Sequence, residues 1–223
     1  AAARAGVYLQ VEDALSLEQL AVTAGTDLSV SLGDAGSVAW QIDLSTGLIN
    51  DLSLSSTSDL ILGDDFDANV SGSAKLDASS IKMTSAAKLQ SGSAGVTIDS
   101  TNDISLSSVS SSGAVSISSS AGSISLTDIE SGTQLSATAG TSVNLQGRIT
   151  ADSLVATATS GNLTQGRDNL LTVKSGSSTL VAQGNVTLTN ASNAFSGKVN
   201  ADGAAISLTD ADALILGDVM ATD

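Results

Sequence analysis

Proline, cysteine and histidine are all missing from this 223-residue chain. The last two absences exclude disulfides, thiolate or imidazole metal sites, and catalysis by a cysteine nucleophile or a histidine base. Lack of cysteine is compatible with secretion but fixes no compartment. Without proline, no strand is deprived of a backbone donor. Aromatic rings are scarce, at 2% against 41% hydrophobic residues, so the core must be built from Val, Ile, Leu and Ala and must be narrow and regular. Basic residues number 8 against 23 acidic ones, a formal charge of −15 that repels phosphate backbones and anionic lipid surfaces. Neither nucleic-acid binding nor membrane insertion is expected. No apolar run reaches the roughly 18 residues of a spanning helix. The opening Ala1-Ala2-Ala3-Arg4 lacks the apolar region of a signal peptide, so the chain is expected to be processed or excised from something longer.

What the sequence does contain is alternation. Apolar residues alternate with Ser, Thr, Asp or Asn in short segments: Val7 to Val11, Leu28-Ser29-Val30, Val38 to Leu44, Val96-Thr97-Ile98, Ile104-Ser105-Leu106, Val115-Ser116-Ile117, Ile124-Ser125-Leu126, Val186-Thr187-Leu188 and Ile206-Ser207-Leu208. This two-residue period belongs to strands with one face buried. Clusters such as Ser91-Gly92-Ser93-Ala94-Gly95 and Ser110-Ser111-Ser112-Gly113 separate them and supply turns.

A longer period lies above the first. Val96, Val115, Leu135 and Leu154 open similar units at steps of 19, 20 and 19 residues. Within the units a second strand recurs at Ile104, Ile124 and Val143, and a lone apolar residue at Val109, Ile129 and Ile149. More distant words repeat as well: Thr23 to Thr26 with Thr138 to Thr141, Ile124 to Asp128 with Ile206 to Asp210, and Leu60 to Asp64 with Leu214 to Asp218. A unit of about 20 residues with two strands and a short third buries too little to stand alone, whereas stacked units pair every backbone group with the lap above or below. The expected fold is therefore all-β, a parallel β-helix or β-solenoid over residues 1–223, with about 19–20 residues per rung and about eleven rungs. At about 4.8 Å per rung this gives a rod on the order of 50 Å long. Apolar residues should form inner columns too slim for rings, and Ser and Thr outer hydroxyl ladders. Alternation begins near the start and continues to Leu216, so both ends read as uncapped: either an excised piece of a longer solenoid, or a subunit that stacks end to end on others.

Residues 193 to 217 carry a resemblance. Asn193-Ala194-Phe195-Ser196-Gly197-Lys198-Val199, followed by Ile206-Ser207-Leu208-Thr209-Asp210 and Leu214-Ile215-Leu216-Gly217, resembles the N-x-F-x-G-x-V and V-x-L-x-D-x-x-x-L-x-L-G pattern of filamentous-haemagglutinin-like giant surface proteins of Gram-negative bacteria. Looser upstream units, including Asn162-Leu163-Thr164-Gln165, look like degenerate rungs of the same kind. The resemblance implies a right-handed coil, secretion by a two-partner or autotransporter route, an extracellular or cell-surface location, and a role as an adhesive or spacing fibre. The family's Asn-Pro-rich secretion module cannot be present in a chain without proline, and no Arg-Gly-Asp triplet occurs.

Chemistry is harder to find. β-Helix carbohydrate-active enzymes and receptor-binding tailspikes, the rival reading, gather acidic and basic residues beside aromatic platforms; here Asp64, Asp65 and Asp67 offer the acidic part alone. Calcium-binding nonapeptides need adjacent glycines, and there is no Gly-Gly pair. The acidic spots Asp64-Asp65-Phe66-Asp67 and Asp202 with Asp210, Asp212 and Asp218 lack EF-hand spacing and read as solvated turns. Asn69, Asn162, Asn185 and Asn190 stand in glycosylation sequons, as a Ser/Thr-rich chain produces by chance. The reading is a structural segment without catalytic, cofactor-binding or metal residues, whose partners are adjoining solenoid segments and a host or neighbouring cell surface.

Overall fold

The structure, a computed structural model, describes residues 6–11, 27–32, 39–40 and 43–222. Among the described residues there is no helix, and every pair of neighbouring strands runs parallel. The chain winds as a β-solenoid with three faces. One sheet of 11 strands, from Gly6–Val11 to Leu216–Ala221, makes the first face. The other sheet, of 15 strands, wraps the second and third faces, and Ile104–Ser111 and Ile124–Ser131 run across both. The predicted strand from Val38 to Leu44 is divided between Ala39–Trp40 and Asp43–Ile49, while Gln41 and Ile42, like the Thr23 to Thr26 word, lie outside the described residues.

Burial alternates along the strands as the sequence requires. Leu52–Ser56, Ala74–Ala78, Val96–Ser100 and Val115–Ser119 each turn their first, third and fifth residues inward. Parallel register stacks these into columns: Val96, Val115, Leu135 and Leu154 lie one above another on the first face, Ile104, Ile124, Val143 and Leu163 on the second, and Val109, Ile129 and Ile149 on the third. All are buried, each stabilising the coil by about 1.5 to 3 kcal/mol. Ile124 and Ile206 share a column four rungs apart, as their repeated word suggested. The other repeated word is not equivalent: Leu60 lies on the second face, whereas Leu216 opens the last strand of the first and pairs with Val199.

The expectation of about eleven rungs holds only as a strand count on the first face; the coil makes about nine turns. Rung length also departs from the expected 19–20 residues, and that departure lies in one corner. Between the inner columns of the second and third faces the chain uses six residues from Leu62 to Ala68, from Met83 to Leu89 and from Gln165 to Leu171, but three from Leu106 to Val109 and from Leu126 to Ile129. The long corners are β-turns, closed by N–H bonds from Phe66 to Gly63 O, Ala87 to Thr84 O and Asn169 to Gly166 O at 3.0, 3.2 and 3.2 Å, and a fourth joins Asn193 to Asn190 O at 3.2 Å. Rungs with such a turn advance 21 to 24 residues on the first face, as from Ala74 to Val96 and from Leu154 to Ser178. Rungs without one advance 19 or 20, and these were the ones whose period the sequence displayed most clearly. The turns also correct the expectation that rings are excluded: Phe66 and Phe195 are buried where the widened corner makes room.

At the corner that returns the chain to the first face, serine and glycine stack instead. Ser91, Ser111 and Ser131 are in register, and their hydroxyls donate to the carbonyls of Gly72, Gly92 and Gly113 at 3.0, 3.1 and 3.1 Å. Ser111 and Ser131 are buried, so this hydroxyl ladder faces inward. A Cβ on Gly92, Gly113 or Gly132 would lie 2.0, 2.3 or 2.2 Å from the carbonyl oxygen of Ser71, Ser93 or Ser112 in the rung before. Only glycine lets the laps approach so closely.

Candidate functional site

The acidic candidates do not converge. Asp64 and Asp65 form the exposed tip of the Gly63–Phe66 turn, and Asp67 starts a third-face strand beside Lys88. Asp202 faces outward between Val181 and Met220 on the first face, while Asp210 accepts the Phe195 N–H at 3.3 Å. Among the described residues no three acidic side chains gather where a cation could be held.

Many polar side chains instead join one rung to the next. Asp51 accepts the Ser73 N–H at 2.7 Å, Asp103 that of Ser123 at 2.8 Å, and Asn162 that of Asn185 at 2.8 Å. These bonds continue the backbone ladder through corners where carbonyl and amide drift out of line. The sequon asparagines share in this: Asn190 Nδ2 donates to Arg167 O at 2.9 Å and its Oδ1 accepts the Ser192 N–H at 2.7 Å, while Asn69 lies on the outer side of Asp67–Val70. The rings make no platform, since Phe66 and Phe195 are in the core; the side chains of Tyr8 and Trp40 lie outside the described residues.

Sequence reasoning missed the place where shape and charge coincide. The shortened corners leave the third face recessed between projecting turns, Gly63–Phe66 and Thr84–Ala87 on one side and Gly166–Asn169 and Asn190–Asn193 on the other. This waist, four rungs or about 14 Å long, is lined by Ser108, Ser110, Asp128, Glu130, Arg148 and Lys174. Asp128 and Glu130 are the only charged residues between Ile104 and Gly147, and their Cα atoms stand about 7 Å apart on one strand. Arg148 follows beside Asp128, whose Oδ1 accepts the Arg148 N–H at 3.0 Å. All four charged side chains are exposed and their formal charges cancel. The waist is an open surface of donors and acceptors. The concentration of charge in an otherwise uncharged stretch was its one legible signal.

Residues 131–202 match a family described as repeats of unknown function (DUF5649). No curated protein and no solved structure matches the chain. The matched residues begin at the inward Ser131 and take in the rungs carrying Leu135, Leu154 and Ser178, so the matching repeat and the coil coincide over that stretch. This chain is a β-helical repeat protein.

Proposed function

We propose that the chain is a structural segment of an extracellular fibre at a bacterial cell surface, of the filamentous-haemagglutinin-like kind, that holds an adhesive or spacing position rather than turning over a substrate. The observation that carries this reading is the continuous ladder of the first face, 11 parallel strands from Gly6–Val11 to Leu216–Ala221, broken in register only by a shift between Val199 and Ala201 at the last pair. Such a ladder makes a stiff rod, because bending it strains many backbone bonds at once. The N-x-F-x-G-x-V unit at Asn193 to Val199 supports the family reading, and the outward Ser, Thr and Asp keep a strand-rich surface hydrated.

Stacking on adjoining solenoid segments and contact with another cell's surface are the two interactions such a segment has to make. Adhesive contact belongs at the waist, where the rod offers carboxylates, a guanidinium, an ammonium and hydroxyls within four rungs. The test is twofold. Protease shaving of intact cells of the source organism should release peptides of this chain, and small-angle scattering of the purified chain should give a rod about 50 Å long. Peptides found only after lysis, or a compact spherical form factor, overturn the proposal.

A further inference from the structure

On the outer side of the first face a groove of about 540 Å3 lies over the strands Ser178–Ala182, Val199–Gly203 and Leu216–Ala221. A register shift shapes its wall. Gly217 and Asp218 together oppose Asn200, and Asn200 Oδ1 accepts the Asp218 N–H at 2.9 Å, which holds Asp218 on the groove side of the bulge. The bed is apolar. In the outer column Asp202 stands between Val181 and Met220, and Met220 is 60% and Val219 43% exposed.

Two carboxylates border this bed. Asp202 and Asp218 are one rung and one outward position apart, about 8 Å between Cα atoms. Among the described residues neither carboxylate has a hydrogen bond or an ion pair. No third acidic side chain among the described residues joins them, which leaves a metal ion short of ligands. From Thr179 to Thr222 the chain carries one basic residue, Lys198, against Asp202, Asp210, Asp212 and Asp218. The groove therefore favours a cation with an apolar body.

Three occupants differ in what they require. A second copy of this chain brings a formal charge of −15 and is repelled. A peptide strand finds no main-chain partner on the floor, because Ser178–Ala182 and Val199–Gly203 are paired on both sides. An alkyl chain bearing ammonium groups needs no such partner: its methylenes rest on Val181 and Met220 while its cations meet the two carboxylates. The volume is that of a small-molecule site. Past Asp202 the groove continues into a hollow of about 330 Å3, where Thr157, Gln183 and Thr222 offer hydroxyl and amide oxygens to a further ammonium.

We propose that this groove binds an aliphatic polyamine, with Asp202 and Asp218 as paired anchors and Met220 as the apolar rest between them. The site lies on a different face from the waist, and it holds whether or not the chain serves as a fibre.

The two methionines give a direct test. Met83 is buried and Met220 exposed, so isotope-labelled methionine methyl groups supply one magnetic-resonance reporter in the groove and one in the core. Spermidine, titrated at about 150 mM sodium chloride, should shift the Met220 methyl saturably and leave Met83 in place. Butylamine, with a single cation, should need at least about fivefold more to reach half its shift. Asp202→Asn and Asp218→Asn should each raise the spermidine midpoint about threefold or more, with Met83 reporting that the variants are folded. Asp64→Asn/Asp65→Asn, at an exposed turn away from the groove, should leave it unchanged. The proposal is overturned if Met220 does not shift, if butylamine acts at the same concentration, if the shift survives Asp202→Asn/Asp218→Asn, or if the turn variant weakens it equally. Tri-lysine should bind no more tightly than spermidine; tighter binding assigns the groove to the lysines of a protein partner and overturns the polyamine.

Discussion

At the scale of single residues, the chain shows how strictly a solenoid polices its lumen. Ser178 occupies the column of Leu154 and Val199, is buried, and its hydroxyl has no hydrogen-bond partner. Leaving a buried hydroxyl unpaired costs about 1 to 3 kcal/mol. Ser178→Ala removes the group without adding volume, and it should raise the denaturant midpoint by an amount worth about 1 kcal/mol in equilibrium unfolding. Its inward relatives Ser111 and Ser131 stand in the opposite situation, each bonded to a glycine carbonyl, so Ser131→Ala should lower stability by about 1 kcal/mol in the same measurement. The alternation of the sequence does not separate these serines, because the partner of each hydroxyl lies on another rung.

At the scale of elements, strand and corner respond oppositely to the same change. Gly92 approaches the Ser71 carbonyl so closely that Gly92→Ala must move backbone, and a loss of about 1 to 3 kcal/mol is expected by denaturant unfolding. An inserted residue within Val115–Ser119 would reverse every following side chain of that strand, carrying Ile117 from core to solvent. Two serines inserted between Asp64 and Asp65 lengthen only an exposed turn and should cost no more than about 0.6 kcal/mol. If the insertion at the turn is as damaging as the one in the strand, the corner is not the elastic part of the repeat. This division explains what was legible: strands carry a two-residue code, whereas corners carry only the constraint that the chain comes back into line.

The molecule as a whole stacks like-charged rungs about 4.8 Å apart at a formal charge of −15. The one ion pair found among the described residues, Lys75 with Asp77 at 3.7 Å, is exposed and contributes little. Self-repulsion therefore opposes the coil and is screened by salt. The thermal midpoint should rise as sodium chloride increases from about 10 mM to about 200 mM, where the Debye length falls below 10 Å; a midpoint that falls, followed by circular dichroism, contradicts this balance of charges. A stack of this kind also unfolds from its less-covered rungs. Ile215, Leu216, Val219 and Met220 are exposed, so amides of Leu216–Ala221 should exchange with deuterium well before those of Val115–Ser119.

The amino-acid sequence alone determined the fold class, the three strands of each rung, the column residues from Val96 to Leu154 and the absence of histidine and cysteine chemistry, because a period of two sets burial and a recurrent length sets stacking. The tertiary structure decided the number of turns, the burial of Phe66 and Phe195, the charged waist and the reciprocal side-chain amide bonds between Gln165 and Asn193, 28 residues apart. Each of these depends on how many residues a corner absorbs before the next strand regains register, a closure condition on the whole lap that no local pattern records.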